Sequence, residues 1–369
     1  MMTAHRAEVW SPSDSAWPEL LERLPHDIFY RPEYHSLTGF GHHGTPHLFS
    51  YEEGRGNLFL WPYLLRAIPG TPYNDVSSVY GYSGPLSSGD PEFLQRAWLA
   101  LTDHWSQQRA VSAFTRFHPM LGNADLIARL GGQVPAGGLC PAGSTVSIDL
   151  TLPAAEQVRK YQKVLRQEIR KSRELGFVTT EDHEWAGLGS FVDLYRETML
   201  RRNSRDEYLI DEAWVQGLRQ SLGSRVRLFV TKWQGKVAAA LVALEHHPFL
   251  HAHLTGINSE LAAYSPLKIL LDDIREWATQ RGLTHFHLGG GLGGREDSLF
   301  QFKRRFSPVV LPFYTGRWVL DPALFKELEV AHREDLSRKG YLIDNTPEFF
   351  PMYRYHPIDV DPSISSRER

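Results

Sequence analysis

The segment Leu288-Gly-Gly-Gly-Leu-Gly-Gly-Arg-Glu-Asp-Ser-Leu-Phe-Gln-Phe-Lys-Arg-Arg-Phe306 concentrates chemistry in a short space. It opens with Gly289, Gly290 and Gly291, and five of the six positions to Gly294 are glycine. Such a run lets a ligand approach bare backbone. It is not a P-loop, because no Gly-Lys-Ser/Thr follows, and not a dinucleotide fingerprint, because no acidic ribose partner lies ~20 residues on in a strand–helix–strand unit. Glu296 and Asp297 also compete with any phosphate for the start of the next helix. Close packing beside an acyl substrate and a plain tight turn both fit. Beyond the glycines, Phe302 and Phe306 share a helix face, and Lys303 projects near the start of the next strand. A Lys held by apolar neighbours at a cleft can neutralise an oxyanion or a leaving alkoxide. In a Lys-Arg-Arg run it can equally be a surface cation.

A second constellation is cationic. On one helix from Glu156 to Leu175, Arg159, Lys163, Arg166, Arg170 and Arg173 would fall within an arc of about 80° at ~100° per residue. With Lys160 and Lys171, the stretch from Arg159 to Arg173 carries seven cations against the single acid Glu168. A phosphate backbone is a natural partner, and a solvated helix face is the bland alternative. Histidines form a third set: His251 and His253 alternate on one strand, His285 and His287 on another. Such pairs could bind zinc, but no cysteine or well-spaced carboxylate completes a site and strand histidines often serve as core hydrogen-bonders, so no metal is expected. No Gly-x-Ser-x-Gly elbow is present, and the lone Cys140 lies in the linker-like Gly137-Gly-Leu-Cys-Pro141. Direct transfer of an already activated acyl group is then expected rather than a covalent acyl-enzyme.

The elements that hold these residues follow from pattern. The chain has 369 residues, 42% apolar and 22% charged, which predicts two domains of soluble-enzyme composition. With 40 Lys plus Arg against 43 Asp plus Glu, any polyanion site must be a local patch. The single cysteine and the lack of an apolar leader favour a cytoplasmic address. The most apolar window, Val237 to Leu244, is far shorter than the ~20 residues that span a bilayer, so no integral membrane segment is expected. In the first half, strands are predicted at 57–65, 76–82 and 111–117, and helices at 91–105 and 123–130. After a Gly/Pro linker come a strand at 146–150, the long cationic helix, and helices near 188–201 and 211–221. Strands at 226–231, 237–244 and 250–255 follow. A helix capped by Ser265 then runs from Pro266 to Arg281. A strand at 284–288 enters the glycine run, a helix spans 296–304, and strands lie near Val309 and Trp318. This mixed α/β order matches the acyltransferase fold of the GNAT class, in which two parallel neighbouring strands splay and the acyl donor lies in the V between them. Here those strands would be 250–255 and 284–288.

The second half resembles the FemABX-like branch of the GNAT superfamily. The resemblance rests on Tyr161-Gln-Lys-Val-Leu-Arg-Gln-Glu-Ile-Arg-Lys-Ser-Arg-Glu-Leu-Gly176, on Phe191-Val-Asp-Leu-Tyr-Arg-Glu-Thr-Met-Leu-Arg-Arg202 with Tyr208, and on His253-Leu-Thr-Gly256. It continues through Ser265-Pro-Leu-Lys-Ile-Leu-Leu-Asp-Asp-Ile-Arg-Glu-Trp-Ala278 and the glycine segment. Val79-Tyr-Gly-Tyr-Ser-Gly-Pro-Leu86 and Phe114-Thr-Arg-Phe-His-Pro119 resemble the first domain of related bacterial proteins. The resemblance implies tandem GNAT-like acyltransferase domains: a first over 1–144 completed by 320–355, and a second over 145–319 carrying the donor site, before a disordered tail at 356–369. It implies transfer of an amino acid from aminoacyl-tRNA to an amine on a peptidoglycan precursor, with no cofactor. Phe302 and Lys303 match the family's catalytic pair. The cationic residues, with Arg202, Tyr208, His253 and the glycines, would then serve the tRNA and substrates. The family's acceptor-binding Lys has no clear counterpart, although Arg31 could substitute. An acyl-CoA donor used on a sugar amine or small metabolite is the alternative, disfavoured because Leu261-Ala-Ala-Tyr-Ser-Pro266 lacks the glycines of a pyrophosphate loop.

Overall fold

Asn57–Ala67 is apolar on both faces and almost wholly buried, as a central strand must be. It is β3 of a 13-stranded sheet seen in a computed structural model that describes residues 5–37, 43–54, 56–130, 137–201, 209–341 and 349–356. Arg202, Tyr208 and the expected tail beyond His356 lie outside the described residues. The remaining strands are β1 His5–Trp10, β2 Thr45–Glu53, β4 Asn74–Ser77, β5 Leu86–Ser87, β6 Ala110–Arg116, β7 Gly137–Asp149, β8 Val178–Glu181, β9 Val226–Trp233, β10 Lys236–His246, β11 Phe249–Ile257, β12 His285–Gly290 and β13 Val310–Val319. Their spatial order is β1-β2-β3-β4-β6-β13-β7-β12-β11-β10-β9-β8, with β5 on β3.

That order reads alike from either end: four antiparallel strands, one parallel step, then the central pair. The parallel steps are β4 beside β6 and β11 beside β12. Each is bridged by a helix, Pro91–Gln107 in the first unit and Leu267–Gln280 in the second. The fold is mixed α/β with two units of one topology, as expected. At the centre the units exchange strands. β7, from the first half, pairs with β12, while β13, from the second, pairs with β6.

Several local expectations change. Gly137–Gly143, with its glycines and Pro141, is not a linker; it begins β7, pairs with β13 and places Cys140 opposite Thr315. The boundary at 144/145 therefore falls inside a strand. The predicted strand 76–82 ends at Ser77, and the strands near Val309 and Trp318 are the single strand β13. Ser265 does not cap a helix; it terminates the 3-10 turn Ser259–Tyr264 in the left-handed region at φ 50°.

The long cationic helix is two helices, Ala154–Lys160 and Lys163–Glu174, because Tyr161 and Gln162 are extended. Burial of Tyr161 makes the break. Its ring meets Phe306 edge-on at 5.3 Å, and its hydroxyl donates to Asp272 at 2.9 Å. Asp272 also accepts from Arg275 at 3.1 Å and Arg173 at 2.8 Å, so a carboxylate that burial alone would penalise is surrounded by donors.

Candidate active site

The parallel pairing of β11 with β12 covers Phe249↔His285, Leu250↔Phe286 and His251↔His287, then stops. Beyond it β11 continues beside β10 to Ile257, and β12 continues beside β7 to Gly290. A gap therefore opens between them with His251 and His287 at its vertex. The corresponding gap of the first unit is closed by its own chain. Ser78 N–H donates to the Phe114 carbonyl (3.1 Å), Ser83 N–H to that of Arg116 (2.7 Å), and His118 N–H to that of Ser83 (3.1 Å). The segment that closes it sends Tyr80 and Tyr82 against the second gap: Tyr80 lies 5.7 Å from His253 and Tyr82 5.3 Å from His287, ring to ring. Phe29 adds a third wall, edge-on to His251 at 4.9 Å.

The vertex is ionisable and buried. Asp27, with no exposed surface, places Oδ2 2.6 Å from His118 Nε2 and 2.6 Å from His251 Nε2. His251 Nδ1 lies 3.3 Å from His287 Nδ1. Burial alone would raise the Asp27 carboxyl; contact with His251 and His118 outweighs it and holds the group well below the usual range. Burial pushes His118 down, and it pushes His287 well down with help from His251, His118 and the Lys303 ammonium.

Asp27, His118 and His251 bring three ligand-type atoms together, so the carboxylate missing from the sequence reading exists and comes from 224 residues away. The spacing is nevertheless that of hydrogen bonds. Two ligands of one tetrahedral zinc stand about 3.4 Å apart, and the Met120 N–H donates to His118 Nδ1 at 3.2 Å, which puts the ring hydrogen on Nε2.

Lys303 lies on the short helix Ser298–Arg304, whose first turn is capped by the Asp297 carboxylate accepting from Phe300 N–H at 3.0 Å. Rather than facing the following strand, Lys303 turns back and donates through Nζ to the Gly290 carbonyl at 2.7 Å, on the edge of β12 beside the gap. Phe302 packs on Phe306 at 5.6 Å. Gly289 and Gly290 are part of β12, and most of the glycine run is filled by the protein itself. A Cβ on Gly290 would come within 2.6 Å of the Ser144 carbonyl oxygen, one on Gly291 would overlap the Arg295 carbonyl, and one on Gly294 that of Ala142. Close backbone packing accounts for these three positions, against β7 at Gly290 and Gly294 and against the loop leading to the Ser298–Arg304 helix at Gly291. At Gly289 the neighbour is Lys303 Nζ, 3.3 Å from a notional Cβ.

Residues 159–304 match the family model of the acetyltransferase (GNAT) domain. The crystal structure of FemX superposes with a TM-score of 0.67 at 12% identity, over 87% of this chain and 99% of that one. The fold is that of FemX. The C-terminal domain of a putative lysylphosphatidylglycerol synthetase from Agrobacterium fabrum is also similar, with a TM-score of 0.51 at 16% identity over 86% of this chain and 97% of that one. No curated protein sequence matches the chain. The GNAT domain makes this an acyltransferase, and the gap between β11 and β12 is its V.

Around that V the cationic residues divide. Lys163, Arg166, Arg170 and Lys171 are exposed on one helix, Arg170 beside Glu174 at 3.4 Å, while Arg159 stands on the preceding helix beside Glu156 at 4.0 Å. Arg173 is also exposed but is neutralised by Asp272 and by Asp273, at 2.8 and 2.7 Å. Glu168 is held by Lys268 at 3.0 Å and by Arg305. Arg31, nearly buried, is turned to its own acids, 3.0 Å from Glu33 and 3.6 Å from Glu22. Asp27 had no signal in the sequence, and His118 and Tyr82 lay in segments quoted only for resemblance, with no chemical role attached. Each is one residue in a loop, and only the fold brings them to the V.

The buried imidazoles make stability pH-dependent. Burial pushes His35 down to about 4 and His253 to about 3. Their folded values lie below the unfolded 6.5, so the stability they allow is complete above that value and is lost as pH falls, because the unfolded chain takes up protons the folded chain refuses. Each should remove about 1.4 kcal/mol per pH unit between pH 6 and 4. Urea midpoints at pH 7, 6, 5 and 4 measure this, and a flat series would contradict it.

Proposed function

We propose that this protein is an aminoacyltransferase that moves an amino acid from aminoacyl-tRNA to an amine, most simply that of a peptidoglycan precursor stem, in the cytoplasm and without a cofactor. One juxtaposition carries the reading. The helix that exposes Lys163, Arg166 and Arg170 is joined to the end of the Lys303 helix, because Gln162 N–H donates to the Arg305 carbonyl at 2.9 Å and Arg305 pairs with Glu168. A phosphate backbone laid on the exposed cations would lead its 3′ end toward Lys303 at the V. There the amine attacks the ester carbonyl, and Lys303 meets the negative charge that develops on oxygen. The segment before the Leu267–Gln280 helix supports a donor other than CoA: it is a 3-10 turn packed through buried Leu261, not a loop of free N–H groups. The similar fold of a putative lysylphosphatidylglycerol synthetase supports amino-acid transfer as a class. Among the described residues no helix is long and apolar enough to cross a membrane.

The acetyltransferase family match keeps an acyl-CoA donor as the second reading. Incubation with labelled aminoacyl-tRNA in parallel with labelled acetyl-CoA, each with an amine acceptor, decides between them. Transfer from the tRNA alone is expected, and transfer from acetyl-CoA alone overturns the proposal. Replacing Lys163, Arg166 and Arg170 together by Ala should flatten log Kd against log salt for tRNA by about 2–3 units of slope. The Arg173→Ala change should leave that slope alone and lower stability instead, because it uncovers Asp272.

A further inference from the structure

We propose that Asp27, His251 and His287 form a proton relay, with His287 Nε2 as the base that takes the proton of the acceptor amine at the vertex of the V. The proposal rests on the reading of this V as a site of acyl transfer to an amine. It follows from the hydrogen-bond pattern. Asp27 Oδ1 accepts the Ile28 N–H at 2.7 Å, and Oδ2 accepts from two rings at once. His251 therefore carries its hydrogen on Nε2 and keeps a lone pair on Nδ1. That lone pair faces His287 Nδ1 at 3.3 Å, which must then be the N–H partner. The remaining nitrogen, His287 Nε2, is an acceptor, and it is buried with no hydrogen-bond partner. An unsatisfied buried acceptor costs free energy, and an incoming amine N–H is the donor it lacks.

The step balances. As the amine nitrogen bonds to the acyl carbon, the amine proton passes to His287 Nε2, the His287 Nδ1 proton passes to His251 Nδ1, and His251 becomes the imidazolium against the Asp27 carboxylate; the ester C–O bond breaks with its electron pair going to the leaving oxygen, which takes its proton from the Lys303 ammonium at the edge of the V. The groups facing His287 fix where that charge rests. His251 presents from β11, Asp27 from the loop before the Ile28–Tyr30 turn, His118 from the loop after β6, Tyr82 from the segment after β4, and Lys303 from its helix. The Lys303 ammonium disfavours a cation on His287, whereas the Asp27 carboxylate lies against His251 at 2.6 Å. His118, fixed as a donor by the Met120 N–H, holds Asp27 in place and is a positioning residue. The relay spans both units: its acid comes from the first, its rings from the second.

Two measurements test it. The long-range 1H–15N spectrum of the native protein, labelled with 15N-histidine, reads the tautomers without substrate. Nε2–H is expected on His118 and His251 and Nδ1–H on His287, and a resting His287 with hydrogen on Nε2 overturns the relay. In single-turnover transfer with whichever donor the native protein uses, His287→Gln should lower the rate by about 10²–10⁴ with KM changed less than twofold. Asp27→Asn should lower the plateau and move the acid limb of the rate–pH profile to lower pH, since removing the anion makes the ring pair harder to protonate. A profile lowered by one factor at every pH overturns the proposal. If the spectrum is as expected and tRNA is not the donor, the donor reading fails and the relay stands.

Discussion

Replacing Lys303 by Ala should reduce the rate of acyl transfer by about 10²–10³, the loss that follows removal of one donor to a developing oxyanion. The Lys303 ammonium is held at 2.7 Å by the Gly290 carbonyl, at the β12 edge of the V. Its position is therefore set before substrate arrives, and little reorganisation is needed when charge develops. Lys303→Arg should recover little, because a planar guanidinium cannot place one compact charge at the same point. The fold should survive both changes, since the side chain is partly exposed and its contact with Gly290 replaces one that water can make. A second readout separates this role from a general disturbance. Lys303 helps push the His287 imidazole down, so its removal should move the acid limb of the rate–pH profile to higher pH, opposite in sign to Asp27→Asn. Unimpaired transfer by Lys303→Ala would remove the residue from the chemistry.

The largest stability effect is expected at Trp318. It has no exposed surface and packs 5.2 Å from Trp98, 5.8 Å from Trp61 and 6.3 Å from Phe117, ring centre to ring centre. It is on β13, yet all three neighbours belong to the first unit. Truncation to Ala should cost about 3–5 kcal/mol, the transfer term plus a cavity that an aromatic cluster cannot collapse to fill. Trp318→Phe keeps most of the ring and should cost less. Urea unfolding of the two variants measures this. A loss under about 1 kcal/mol for the Ala variant would mean that β13 is not part of the first unit's core.

Elements with one dominant signal were legible in the sequence. The helix Pro91–Gln107 has Asp90 accepting from Phe93 N–H and a proline in its first turn, and the meander β9–β10–β11 has long apolar runs separated by turn residues. The V was legible as well, because a strand, a helix and a glycine-ended strand occur in order. What escaped was set by contacts distant in the chain. The helix was broken at Tyr161 by burial against Phe306 and a bond to Asp272, neither of which periodicity can show. Gly137–Gly143 looked like a linker because its composition is that of one; it is a strand because β13 pairs with it. At the site, Lys303 and His287 were nameable, but nothing in the pattern set His287 apart from the other strand histidines, because its neighbours at the vertex come through Asp27 from the first unit. Asp297 proves to be a cap, and three of the run's glycines prove to be sites of close backbone packing, two of them against β7.

The exchange of β7 and β13 has a consequence for how the chain is made. When the first unit has left the ribosome, its sheet still lacks the neighbour of β6, which arrives more than 190 residues later as β13. Trp61, Trp98 and Phe117 must wait for Trp318, and so the first unit cannot finish folding while the second is being synthesised. Closure of such a long-range pairing is slow compared with local structure. The nascent first half would keep an open apolar edge throughout elongation, the kind of surface chaperones hold. Once closed, neither half can open without unzipping the other, so the acid from one unit and the rings from the other stay in register for as long as the protein is folded.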